Sequence, residues 1–162
     1  MPAGQLRALA TVGAALDAAG QDWWLFGGWG VDFWVGSVSR DHTDVDLVAW
    51  QSERAAVDAV LRAIGGTPGE VDDPGLGAAY ELDRCLVELT FLVPSAAGGV
   101  SLPFADGPFR WWPEPLGEQR RTLSGVTARV VPRGLLIQDK AGRRGDPSDQ
   151  AKDAADLWAL LG

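Results

Sequence analysis

Two aspartates, Asp44 and Asp46, stand two residues apart at the start of a run, residues 44–50, whose first half alternates polar and apolar side chains. In a strand, residues i and i+2 project from the same face with their backbones roughly 6–7 Å apart. Both carboxylates can therefore reach one cation. Such oxygen ligands suit magnesium, which keeps several waters and is commonly completed by substrate phosphates. Two solvated strand carboxylates produce the same pattern, so the pair alone does not specify a site. Upstream, Gly27-Gly28 separates the apolar run 23–26 from a helical pattern that begins near Trp29. Glycines let backbone amides approach a phosphate closely, and a helix start adds unpaired N–H groups and a positive dipole. An ordinary tight turn is the plain alternative. Downstream, Glu88 lies on a segment otherwise lined with apolar residues, where a carboxylate could bind metal or accept a proton from an attacking hydroxyl. Glu81 and Asp83 are nearby competitors, and a solvent-facing strand residue is the simpler explanation.

Positioning these groups requires helices and strands in alternation. Leu6, Leu9, Val12 and Leu16 fit an amphipathic first helix that stops at Gly20. Residues 23–26 read as a short buried strand, 29–35 as a short helix stopped by Gly36, and 44–50 as a strand. Ser52 is suited to cap a helix over 54–64. Residues 78–82 and 85–92 read as a hairpin joined at Asp83-Arg84, with Cys85, Val87, Leu89 and Phe91 on one face. Turn residues crowd 94–125, and the pattern there assigns little. A helix is expected over 134–142, and another from Asp146, with Pro147 in the first turn and Ala151, Ala155, Trp158 and Leu161 on its apolar side. The expected fold is α+β, a mixed β-sheet flanked by helices. One domain over residues 1–162, with a helical segment at about 133–162, accounts for the whole chain.

Composition bounds the chemistry. With 162 residues and 46% hydrophobic content, the chain can bury one sizeable core. A formal charge of -8 argues against general nucleic-acid binding and would suit a cationic small molecule. Cys85 is the single cysteine, so neither an internal disulfide nor a Cys-rich zinc site can form. The first nineteen residues lack the pattern of a signal peptide, and no later run is long enough to span a bilayer. A cytoplasmic protein with no membrane partner is expected. Most of the eight tryptophans should be core or interface residues.

The run Gly27-Gly28-Trp29-Gly30-Val31-Asp32, followed by Gly36, Arg40, His42, Asp44, Val45, Asp46 and Leu47, resembles the signature of antibiotic nucleotidyltransferases. The similarity is to small aminoglycoside 2''-nucleotidyltransferases and lincosamide nucleotidyltransferases within the polymerase-beta-like superfamily. It is strong over residues 25–47, moderate to Leu92, and faint at Lys152-Asp153-Ala154-Ala155-Asp156, which resembles the family's terminal helix. The resemblance implies the nucleotidyltransferase fold and transfer of a nucleoside monophosphate from an NTP, with ATP the expected donor, to a hydroxyl of an antibiotic. Pyrophosphate would leave, and two Mg2+ ions would clamp the attacking and leaving oxygens. Asp44 and Asp46 would hold the metals, Gly27 and Gly28 would cradle the triphosphate, and Glu88 would be base or third metal-site carboxylate. Parts of the family carry aspartate at that third position. Arg40 could pair with phosphate or form an ion pair. His42 would support the site or cap a turn, and Asp32 would order the loop. Lys140 and Lys152 could reach the triphosphate, although lysines on helices are usually solvated.

Trp111 and Trp112 could face a base or sugar, with burial the better expectation. Dimerisation could supply a missing wall of the acceptor pocket. A metal-dependent glycosyltransferase also uses Asp-x-Asp, but the Gly-Gly spacing has no explanation there, and a calcium loop lacks its glycine turn. A non-catalytic protein of the same fold that sequesters drug or nucleotide, or an enzyme that nucleotidylates a protein partner, completes the alternatives. Pyrophosphate release and an intact-mass shift on a partner separate them.

Overall fold

The computed structural model describes residues 2–142 and 145–162; Met1, Arg143 and Arg144 lie outside the described residues. The chain runs α1 (Pro2–Ala18), β1 (Trp23–Phe26), α2 (Gly27–Val35), β2 (Val45–Trp50), α3 (Arg54–Ala63), β3 (Thr67–Gly69), β4 (Gly77–Leu82) and β5 (Cys85–Pro94). There follow β6 (Val100–Phe104), β7 (Gly107–Trp112), β8 (Arg120–Leu123), β9 (Val126–Arg129), α4 (Arg133–Ala141) and α5 (Pro147–Leu161).

The main sheet has the order β1-β2-β5-β4-β3, and the far end of β5 carries the hairpin β6-β7. Strands β2 and β5 pair in parallel and their other neighbours are antiparallel, so the sheet is mixed. Alternation decides which face is buried: Cys85, Val87, Leu89 and Phe91 point into the core, while Leu86, Glu88 and Thr90 do not. The β4-β5 hairpin closes at Asp83 and Arg84 with φ of 49° and 64°, the positive values that a two-residue turn between twisted strands requires. On the core side, α1 packs through Leu6, Leu9, Val12 and Leu16, spaced three and four apart. Phe91 lies fully buried beneath this layer, with the Arg54 guanidinium 4.6 Å from its ring centroid. Phe91→Ala is therefore expected to destabilise the protein by about 3–5 kcal/mol in a urea titration, because a core cavity replaces the ring.

Several sequence expectations are corrected. Ser52 does not cap α3; Gln51–Glu53 form a 3-10 turn directly after β2, and Glu53 occupies the cap position with no side-chain bond. Helix α2 begins at Gly27 rather than Trp29, so both glycines belong to its first turn. Strand β2 begins at Val45, which leaves Asp44 immediately before it. In α5, Asp146 caps through a 2.7 Å bond from Ser148 N, with Pro147 next, as its sequence predicts. The face of that helix is inverted, however: Ala151, Ala155, Trp158 and Leu161 face outward, Trp158 being 77% exposed. The buried side carries Asp153, Asp156 and Leu160. Cations from elsewhere in the chain meet the two carboxylates there, a pairing that hydrophobic periodicity cannot register. Of the tryptophans, Trp23, Trp24, Trp29 and Trp111 are buried and Trp34, Trp50 and Trp112 partly so. Among the described residues, no helix is long and apolar enough to cross a membrane.

Candidate active site

The join between β1 and α2 is built for close approach. Phe26 stands at the cap position in extended conformation and offers no side-chain bond to the first turn of the helix. The N–H groups there are left for another partner. Gly27 turns the chain with φ of 64°, and a Cβ on it would lie 2.9 Å from Asp46 Cγ and nearer still to Oδ2. A Cβ on Gly28 would lie 2.5 Å from His42 Nδ1 and 2.6 Å from Arg40 Nη2. These two positions admit only glycine without rearrangement.

Register brings the carboxylates together. Phe26 pairs with Asp46 across β1 and β2, and Asp46 pairs with Glu88 across β2 and β5. The carboxylate oxygens of Asp44, Asp46 and Glu88 that could hold a metal all lie within 4.8 Å of one another. Packing among protein atoms, then the charges of Asp44 and Glu88, hold the Asp46 carboxyl well above the ordinary carboxylate range. Glu88 is also raised, by burial and then by Asp44. Three half-buried acids crowded so closely repel one another, and a divalent cation would relieve that repulsion; their donor set of hard oxygens fits magnesium.

The loop before Asp44 is held from below. His42 Nε2 lies 2.5 Å from Asp32 Oδ2, and Asp32 Oδ1 accepts bonds from Ser39 N at 3.1 Å and Ser39 Oγ at 2.5 Å. The His42 ring packs on Trp29 at 4.5 Å between centroids. Gln5 of α1 donates to the His42 carbonyl and accepts from Trp29 Nε1. Asp32 thus orders the loop through three bonds, and His42 fills the space under Gly28.

Three cations line the same cavity as the three carboxylates. Arg40 Nε and Nη2 donate to Asp156 Oδ1 and Oδ2 at 2.7 and 2.8 Å. Lys140 is buried rather than solvated, with Nζ 3.0 Å from Asp156 Oδ2 and 3.3 Å from Asp153 Oδ1. Lys152 on α5 is half-buried.

Nine of the residues singled out in the sequence, Gly27, Gly28, Arg40, His42, Asp44, Asp46, Glu88, Lys140 and Lys152, line one cavity of about 510 Å³, whereas Asp32 and Trp112 do not. Thr43, Thr90, Asp139 and Asp149 line it as well and were not anticipated. Thr90 carries a readable signal, since it stands two residues beyond Glu88 on the same strand face. Asp139 and Asp149 carry none, because the docking of α4 and α5 brings them in. Trp111 lies outside the cavity, packed edge-on against Phe26 at 5.2 Å.

The arrangement has an anion-seeking end, formed by the open start of α2 and three cations, beside a carboxylate end suited to a divalent ion. The chain is 36% identical over 62 residues to 2''-aminoglycoside nucleotidyltransferases of Escherichia coli and Klebsiella pneumoniae, a match covering 38% of this chain. That match spans only about a third of each relative, 35% of its length. The fold is similar to that of ANT(2'')-Ia in complex with adenylyl-2''-tobramycin, with a TM-score of 0.72, 21% identity, and coverage of 98% of this chain and 90% of the other. It is also similar to the lincomycin-bound lincosamide antibiotic adenylyltransferase LnuA, with a TM-score of 0.67, 17% identity, and coverage of 90% and 89%. Residues 8–149 match the family model described as aminoglycoside-2''-adenylyltransferase, and the chain belongs to that family.

Proposed function

We propose that this protein transfers a nucleoside monophosphate from an NTP, with ATP the expected donor, to a hydroxyl of an aminoglycoside, releasing pyrophosphate. The observation that carries the reading is the meeting, in one cavity, of the uncapped start of α2 with the Asp44, Asp46 and Glu88 cluster. The first supports a polyphosphate seat and the second a metal seat less than a nucleotide's length away. Asp44 and Asp46 would hold magnesium, with Glu88 able to join them. When bound, the ion supplies neutralisation of charge on the transferring phosphate and its leaving group.

The chain's own residues account for the remaining steps. Gly27 and Gly28 bring backbone N–H groups against the polyphosphate, and Arg40, Lys140 and Lys152 add positive charge along it. The acceptor oxygen forms its bond to the α-phosphorus as the bond from that phosphorus to pyrophosphate breaks. The hydroxyl proton passes to the Glu88 carboxylate, whose affinity for a proton is raised above the ordinary value by burial and then by Asp44. His42 and Asp32 keep Gly28 and the loop in place.

Charge at the mouth of the site favours an aminoglycoside over a lincosamide. A second hollow of about 340 Å³ shares Glu88 and Thr90 with the main cavity and adds Glu70, Asp72 and Asp73. A polyamine would find complementary charge there, whereas an uncharged or weakly charged drug would not. The deciding experiment incubates the protein with NTP, magnesium and an antibiotic panel, and reads pyrophosphate together with product mass. Adenylylated aminoglycoside is the expected product. Tight drug binding without pyrophosphate would instead mark a sequestering protein, and a lincosamide product would overturn the acceptor class. In the same assay, Glu88→Gln should lower kcat by about 10²–10⁴, the usual contribution of a positioned base, and leave the nucleotide Kd nearly unchanged.

A further inference from the structure

Arg40 and Lys140 come from different parts of the chain, the loop after α2 and the last turn of α4, yet both reach a single carboxylate. Asp156 on α5 has no exposed surface and does not itself line the cavity. It takes Arg40 in a two-point fork and Lys140 Nζ at 3.0 Å. We infer that Asp156 is a positioning residue for the polyphosphate, holding both cations against the cavity so that their remaining donors meet phosphate oxygens. The inference rests on the nucleotide reading given above.

Geometry supports the assignment at both cations. A guanidinium has five N–H donors. Nε and Nη2 each give one to Asp156 and Nη1 gives one to the Asp41 carbonyl, so one on Nη1 and one on Nη2 remain. Nη2 is the atom pressed against Gly28, beside the open start of α2. The fork fixes the plane of the guanidinium, and with it the direction of those two donors. Lys140 has a side chain only 5% exposed, and the carboxylates of Asp156 and Asp153 are its ion-pair partners there. Its charge acts on Asp46, where it opposes the upward push of the neighbouring acids. Lys140 lines the same cavity as Asp44, Asp46 and Glu88 and as Gly27 and Gly28. Burial raises the Asp156 carboxyl, but the bonds and charges of Arg40 and Lys140 outweigh it and hold the group below the ordinary range.

Two opposed effects would follow from Asp156→Asn. Removing a negative charge makes the wall more positive, which favours an anion. Releasing the guanidinium and leaving Lys140 with Asp153 alone removes the orientation, which disfavours one. Arg40 is only 20% exposed and its donors are directional, so lost orientation is expected to win.

The test measures binding of magnesium ATP and of magnesium tripolyphosphate by calorimetry, and the kcat and KM for ATP, in wild type, Asp156→Asn, Asp156→Glu and Leu160→Ala. Leu160 is buried on the same helix, its apolar side chain can pair with neither cation, and its carbonyl accepts from Arg133, so its truncation controls for loosening α5. Asp156→Asn should weaken both probes about tenfold and raise KM by the same factor, with kcat at saturation held within about threefold. Asp156→Glu should recover part of the loss, and Leu160→Ala should bind as wild type does. Equal or tighter binding by Asp156→Asn overturns the assignment, as does equal weakening by Leu160→Ala, which would reduce Asp156 to a fastening for α5. Should Asp156→Asn fail to fold, Arg40→Lys keeps the charge but loses the fork, and the same tenfold weakening is expected of it. Wild type binding neither probe would instead sink the nucleotide reading itself.

Discussion

Replacing Asp46 by asparagine is expected to abolish nucleotidyl transfer and, in the same variant, to raise the melting temperature of the metal-free protein. The carboxyl of Asp46 sits within 4.8 Å of ligand oxygens of Asp44 and Glu88, among packed protein atoms. Burial and those two charges lift it well above its ordinary value. An acid raised in this way binds its proton more tightly in the folded than in the unfolded state. Its contribution is fully present below the ordinary carboxylate range and is lost as pH rises from there through the folded value. At neutral pH or above, the ionised cluster therefore works against folding when no cation is bound. Asparagine keeps the shape and removes the charge, so the metal-free variant should melt about 2–4 °C higher, the signature of roughly 1 kcal/mol in a domain of this size. Saturating magnesium should close or reverse the gap, because a metal seat at this cluster would give only wild type the stability that ligand binding confers. Transfer should fall by at least about a thousandfold, since a metal seat contributes several kcal/mol to the transition state. Scanning calorimetry with EDTA and then with magnesium reads the first effect, and pyrophosphate release the second. A variant that melts lower without metal would show that Asp46 is structural, and one with wild-type turnover would remove it from the metal seat.

Gly27→Ala should be nearly as damaging, and by a route that no side-chain chemistry describes. Its φ of 64° places an L-residue in the left-handed region, at a cost of roughly 1–2 kcal/mol. The added Cβ would also meet Asp46 at 2.9 Å from Cγ and 3.0 Å from Cβ, and still closer at the carboxylate. Neither side can yield cheaply, because Asp46 is fixed by its pairings with Phe26 and Glu88. A total loss of about 2–4 kcal/mol in chemical denaturation is expected, with transfer below detection. Gly28→Ala forms the contrast. Its backbone is ordinary and its Cβ would strike the ends of His42 and Arg40, held respectively by Asp32 and Asp156. Nucleotide affinity should fall there with a smaller loss of stability. Near-normal turnover in Gly27→Ala would mean that the start of α2 is not beside the reacting groups.

Much of this site was legible in the chain because its parts are local. The strand, helix, loop and strand from Trp23 to Trp50 are contiguous, and the antiparallel pairing of β1 with β2 brings Gly27 beside Asp46. Period-2 alternation located Glu88 on the half-exposed face of β5 and predicted the Asp83-Arg84 turn that sets its register. Boundaries were less legible: Gly27 starts a helix instead of preceding one, and Ser52 lies in a 3-10 turn instead of capping. Apolar pattern cannot settle either point, since both depend on backbone dihedrals that several residue types tolerate. Residues 94–125 were opaque because β6, β7 and β8, although each pairs with a neighbour in the chain, are short and largely exposed or half-buried, so no clear apolar alternation marks them.

By itself, the sequence determined the mixed α+β frame, the Gly-Gly turn, and the carboxylates at Asp44, Asp46 and Glu88. Each follows from interactions within a few residues or between adjacent strands, where periodicity and turn chemistry act. Only the tertiary structure decided how the cations are held. Arg40 and Asp156 are 116 residues apart in sequence, and Lys140 and Asp156 meet only because α4 and α5 fold back beside the loop after α2. That meeting turned α5 about, so that its carboxylates face inward and Trp158 faces out. A buried ion pair couples charge to position across the whole chain, and no local pattern of apolar residues records it.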